Sequence, residues 1–154
     1  MQTAEKLTFL QTTYIATLQS LHAATQARFG KMDVQQMIEH MAYAFRVANG
    51  KIPVQQLTPE ERIERAQTWL MTDAEFKENT PNQLLPDDPI PYTTVNKDEA
   101  IAMLKSEIAE FVKVYAADEN LLIQNAFFGM LNFDMQVQLL HKHAIHHLKQ
   151  FNAA

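Results

Sequence analysis

Asp33-Val34-Gln35-Gln36-Met37-Ile38-Glu39-His40-Met41-Ala42-Tyr43-Ala44-Phe45-Arg46-Val47-Ala48-Asn49 reads as one capped amphipathic helix. Asp33 is placed to cap its first turn, and Gln36, three residues on, completes a capping box. Val34, Met37, Ile38, Met41, Phe45 and Ala48 recur at three- and four-residue spacing, which lines up one face of an α-helix. Gly50 and Pro53 end it, the first by favouring a left-handed backbone and the second by lacking an amide proton.

The same period appears on both sides of this stretch. Leu7, Leu10, Tyr14, Leu18 and Leu21 predict a helix from about Thr3 to Arg28, with Gly30 as its stop. Thr58-Pro59-Glu60-Glu61 predicts a shorter helix, with a capping hydroxyl, a first-turn proline and two acids at the positive helix end. Its face is Ile63, Ala66, Trp69 and Leu70. Residues 77–96 hold Pro81, Pro86, Pro89 and Pro91 and predict a long extended crossing. Asn96 and Glu99 form a capping box for a helix from Lys97 to Ala117, with the stripe Ile101, Leu104, Ile108, Phe111, Val112 and Tyr115. Leu121 to Leu131 reads as an apolar loop, and a last helix runs from about Asn132 to Phe151. The expected architecture is all-α: a single domain over residues 1–154, built as a four-helix bundle. A short extra helix and a long Pro-rich crossing separate the second and third long helices.

Composition supports this class. Apolar residues make up 47% and charged residues 20% of 154 residues, a globular balance. With 3 Gly and 6 Pro the chain has too few turn residues for a sandwich or barrel. The net charge is −5 and no dense basic run exists, so no nucleic-acid or anionic-membrane partner is expected. The longest apolar stretches fall far short of the ~18 residues of a membrane span. There is no cysteine, which removes disulfides, thiolate ligands and a cysteine nucleophile together. Met1 to Leu10 lacks the pattern of a secretory signal, and a cytoplasmic location is the default expectation.

Histidine carries the functional signal. The last predicted helix contains His141-Lys142-His143-Ala144-Ile145-His146-His147. Four residues advance a helix by one turn and about 40°, so His143 and His147 are stacked neighbours able to chelate one ion. They share the inward stripe with Gln136, Leu139, Leu140 and Gln150, while His141 points nearly opposite, toward solvent, and His146 sits on the flank. A third ligand is needed. His40, at the edge of the Met37/Met41 stripe, is the first candidate, and His22 is its competitor. Three neutral imidazoles suit zinc or nickel, and also iron or copper, and leave coordination positions open. The plainer alternative is that these histidines complement the negative end of the helix. The 8 Met residues read as gap-filling core, and Glu60, Glu61 and Glu64 as a solvated face. Val137, Ile145 and Leu148 form a second apolar face, which suits either another helix or a second subunit in a homodimer.

Three stretches resemble the DinB/YfiT-like superfamily of metal-binding four-helix bundles, in an uncharacterised branch. Phe29-Gly30-Lys31-Met32 with Gln36-Met37-Ile38-Glu39-His40 is similar to its WGKM…QMxxH signature. Asn125-Ala126-Phe127-Phe128-Gly129-Met130-Leu131 is similar to its HPxFGxL loop. Lys142-His143-Ala144-Ile145-His146-His147-Leu148-Lys149-Gln150-Phe151 is similar to its KHxxHHLxQF ending. Phe29, Asn125, Ala126 and Ile145 depart from the pattern, and none of them removes a ligand. The resemblance implies a divalent metal at His40, His143 and His147. It also implies a thiol-dependent S-transferase acting on a small electrophile, with a low-molecular-weight thiol as cosubstrate. The sequence identifies no general base. A metal-dependent hydrolase of a small ester or amide and a non-catalytic metal- or ligand-binding dimer are the alternatives.

Overall fold

A computed structural model of the chain describes residues 2–80 and 85–154. In chain order its elements are α1 (Thr3–Gln11), α2 (Thr13–Ser20), α3 (Val34–Ala48), α4 (Glu60–Leu70), α5 (Lys97–Ala117), β1 (Ile123–Asn125), β2 (Gly129–Leu131) and α6 (Phe133–Gln150). The fold is a helical bundle with one small hairpin: α3 packs on α5, α1 on α6, α2 on α5 and α3 on α6. The predicted stripes meet in one core, where Tyr14, Leu18, Met37, Ile38, Met41, Phe45, Leu104, Phe111 and Phe151 are completely or almost completely buried. Burying each such side chain contributes about 1.5–3 kcal/mol, which offsets the entropy of ordering the helices. A smaller cluster of Leu70, Phe128, Leu131 and Leu139 joins α4 and the hairpin to α6. No helix among the described residues is long and apolar enough to cross a membrane.

Helices whose first turn is capped locally fall where the sequence places them. Asp33 Oδ1 accepts from the Gln36 amide at 2.8 Å, and Gln36 Oε1 accepts from the Asp33 amide at 3.0 Å. Asn96 and Asn132 cap α5 and α6 through the amides of Glu99 and Met135, each at 2.9 Å. At the other end of α3, buried Glu107 of α5 accepts from Asn49 and pairs with Arg46 and Lys51, stitching the two helices together.

The first predicted helix is corrected. It breaks at Thr12 (φ −124°, ψ −81°) and stops at Ser20, short of Arg28. Thr12 and Thr17 turn their hydroxyls back onto the carbonyls of Thr8 and Thr13, and β-branched residues are weak helix formers. Lys97 then places its ammonium on the carbonyls of Leu18, Gln19 and Leu21 at 3.1, 2.9 and 2.6 Å, satisfying the open end of α2. Gly30 is therefore no helix stop. The Thr58 hydroxyl makes no cap either: Pro59 occupies the N-cap position of α4, and the amides of Leu57 and Thr58 donate to Ala126 O. The expected 121–131 loop is a hairpin with Ile123 opposite Leu131. Asn125 Oδ1 accepts from the amides of Phe127 and Phe128, and Gly129 adopts φ +75°.

The crossing has no helix or strand in its described part; Pro81 lies outside the described residues. It is pinned to α3. Glu39 accepts from the amides and hydroxyls of both Thr93 and Thr94, Gln35 donates to Thr94, and the Tyr92 hydroxyl bonds Asp33. Partial burial works to raise the Glu39 carboxyl, but the hydrogen bonds from Thr94 and Thr93 together hold it below its usual 4.5. This contribution to stability is full above that pH and is lost as pH falls below it. Glu39→Gln is expected to cost about 1 kcal/mol, discounted for solvent exposure. The urea midpoint should drop, and hydrogen exchange should quicken at residues 93–94 while the core amides stay protected.

Candidate metal centre

His40 sits at mid-length of α3, and His143 and His147 sit one turn apart on α6. Ala144, Leu140 and Leu148 of α6 lie in the core, which fixes the rotation of the helix and turns the two histidines toward α3. The Nε2 atoms of His40 and His143 are 3.0 Å apart, and those of His143 and His147 are 2.9 Å apart. One donor nitrogen from each of the three rings lies within 4.8 Å of the others. The His40 ring stands nearly perpendicular to both partners, with centroids 4.9 Å away in each case.

A relay behind His147 sets its tautomer. The carbonyl of Phe29 can only accept, so the Gln150 amide nitrogen donates to it at 2.9 Å. The Gln150 Oε1 atom is thereby turned to His147 Nδ1, at 2.8 Å, and must accept from it. His147 therefore carries its proton on Nδ1 and presents a lone pair at Nε2. The segment before Gly30 locks onto the same helix end: the Arg28 amide donates to Gln150 O at 2.7 Å and its guanidinium to Lys149 O at 3.2 Å. Gly30 is required here. It adopts φ +75°, and a Cβ on it would stand 2.8 Å from Gln150 Nε2.

Electrostatics keep the rings neutral. Burial, followed by the charge of nearby His146, pulls His40 from 6.5 to about 4. Burial and the neighbouring His40 take His147 to about 3, against the opposing hydrogen bond from Gln150. His143 is held well below 6.5, again by burial first and then by His147. Neutral imidazole is the form that binds metals.

The donor set fits a divalent cation. His147 brings a lone pair, and His143 faces two nitrogens with at most one Nε2 proton to offer. No carboxylate belongs to the cluster. One shared cation satisfies all three rings, and two nitrogens bound at about 2.1 Å to the same ion stand roughly 3–3.4 Å apart. The three rings can therefore hold a metal ion.

The remaining histidines are elsewhere. His22 is exposed in the turn after α2, where its Nδ1 accepts from the Ala24 amide at 3.0 Å. His141, expected in solvent, is half-buried with its ring edge-on to Phe9 at 5.3 Å. His146 flanks the cluster, packed between Phe29 and Phe76 with its centroid 5.0 Å from that of His147. Val137 and Leu148, the second apolar face of α6, are buried in the core, and Ile145 packs against it. Most of that face is therefore covered within the chain, by the other helices.

Sequence reasoning missed the cover over the site. After α4 the chain runs as a strap along α6, held by Gln138 on the carbonyls of Leu70 and Thr72, Lys142 on those of Thr72 and Ala74, and Lys149 on Glu75. These three residues fall on one stripe of α6, a spacing visible in the sequence, but their partners are distant. The strap places the Phe76 ring edge-on to His143 at 6.2 Å and to His146 at 6.0 Å. No family model, curated protein or solved structure matches the chain.

Gln150→Leu should leave the fold intact and weaken zinc binding about 10–100-fold, read by competition with a chromogenic chelator, because His147 loses its orienting acceptor. The pH dependence of the metal-free protein follows from the depressed ring pKa values. The unfolded chain takes up protons from pH 6.5 downward while the folded rings do not. Tm should therefore fall as pH drops from 6.5 toward 4 and be flat in this respect above 6.5. A His40→Gln variant should show a shallower fall in a thermal series across that range.

Proposed function

We propose that the chain is a DinB/YfiT-like four-helix bundle that binds a divalent metal, zinc or nickel ahead of iron or copper, through His40, His143 and His147. The activity proposed is a thiol-dependent S-transfer to a small electrophile, with a low-molecular-weight thiol as cosubstrate. The observation that carries the metal reading is the convergence of three neutral imidazole nitrogens from two helices. The S-transferase reading rests on the resemblance of the Phe29–His40, Asn125–Leu131 and Lys142–Phe151 stretches to that superfamily.

A divalent ion held by three imidazoles supplies Lewis acidity and lowers the pKa of a bound thiol or water. The chain contributes the rest. Gln150 holds the His147 ring in one tautomer, and burial keeps all three rings unprotonated. Phe76 and Phe29, packed on His143 and His146, limit water at the site. With no cysteine in the chain, the sulfur nucleophile must come from a second substrate. The reaction forms a carbon–sulfur bond between that thiol and the electrophile, and the thiol proton leaves with the displaced group.

The test uses tag-free protein loaded with zinc or nickel and a chlorinated nitroarene as electrophile. Glutathione, bacillithiol and mycothiol are supplied in turn. Conjugation should require both metal and thiol, and His143→Ala should abolish it. Ester turnover that needs metal but no thiol contradicts the transferase reading in favour of a hydrolase. Bound metal with neither activity favours a binding module.

A further inference from the structure

Away from the histidines, α4 and the hairpin border a shallow, widely open depression of about 400 Å³ with an almost wholly apolar lining, formed by Thr58, Arg62, Arg65, Ala66, Trp69 and Phe128. Its size is that of a small-molecule site, which is typically about 300–1,000 Å³. Trp69 and Phe128 form an aromatic wall, their planes 9° apart and centroids at 6.3 Å. Arg62 and Arg65, three residues apart on α4, are both exposed. Arg28 and Arg46 each face a carboxylate, whereas Arg62 and Arg65 have none within ion-pair distance among the described residues. They share α4 with Glu60, Glu61 and Glu64, yet neither guanidinium is tied up in an ion pair among the described residues, and both stand beside an apolar wall.

The cavity is also preformed. Gln67 Nε2 donates to the carbonyls of Phe128 and Met130 at 2.8 and 3.3 Å, tying α4 to the hairpin. Ala126 O accepts from the amides of Leu57 and Thr58, tying the approach to α4 to the same hairpin. Lys142 Nζ sits 4.8 Å from the Trp69 ring centroid and helps fix that ring. Gly129 lets the hairpin approach Ile63 of α4, because a Cβ there would lie 3.1 Å from the Ile63 side chain.

We infer that this cavity binds a small aromatic carboxylate, its ring against Trp69 and Phe128 and its carboxylate at Arg62 and Arg65. Guanidinium groups match carboxylates in geometry and charge, so a neutral molecule of the same shape gains only the apolar half of the interaction. The site shares no residue with the histidine cluster and does not depend on a bound metal.

Trp69 is the only tryptophan in the chain, so its indole N–H gives a single resonance that reports on the wall directly. Metal-free protein is titrated with 2-naphthoate and, separately, with 2-naphthamide at low salt. Saturable movement of the indole resonance by the acid, with the amide at least tenfold weaker, is the expected result. Added salt should weaken the acid, and an Arg62→Gln/Arg65→Gln double variant should bring acid and amide level. An unmoved indole resonance, equal binding of acid and amide, or full acid affinity in the double variant overturns the proposal. The spectrum of the variant itself reports whether it is folded, and the metal content of the protein has no bearing on any of these outcomes.

Discussion

The packing of α6 against α3 is the contact on which the candidate site depends. Apolar side chains of α6 set its rotation, and the Asp33–Gln36 box sets where α3 begins. Together they bring His40 opposite His143 and His147 with ring nitrogens 2.9–3.0 Å apart. Neutral polar groups this close, partly withdrawn from water and facing one another, are costly unless something satisfies their lone pairs. Two residues from one helix and one from another also make the cluster sensitive to the relative placement of the helices. Core packing thus sets whether the three nitrogens stand close enough to share one ion.

A second layer converts this crowding into a defined donor set. Phe29, Gln150 and His147 form a directional chain in which only one arrangement of protons is allowed. It works because Gly30 lets the backbone come close to Gln150, and because Arg28 closes the carbonyl end of α6. On the other side, the strap after α4 lays Phe76 over His143 and is itself held by polar residues of α6. One helix therefore supplies two of the three clustered imidazoles, the orienting amide and the anchors of the cover.

What could be read from the sequence was what is encoded locally. α3, α5 and α6 begin at Asp33, Asn96 and Asn132 because these side chains cap their own helices. The end of α2 was illegible, since Lys97, far along the chain, terminates it while the apolar spacing runs on through Leu21. Strands of three residues are too short to show alternation, so the hairpin read as a loop. His143 and His147 were legible as a pair from their spacing within one helix. His40 and His22 were hard to separate because only the tertiary packing decides which faces α6. Phe76 gave no signal, since it lies in an irregular segment whose position depends on Gln138, Lys142 and Lys149.

The most direct test of the centre is X-ray absorption at the zinc edge, on tag-free protein given one equivalent of zinc and passed through a desalting column. The account predicts a retained ion with scattering from three imidazole rings, falling to two in His147→Ala. Zinc lost on the column, or a retained ion whose spectrum is the same in His147→Ala, would contradict it.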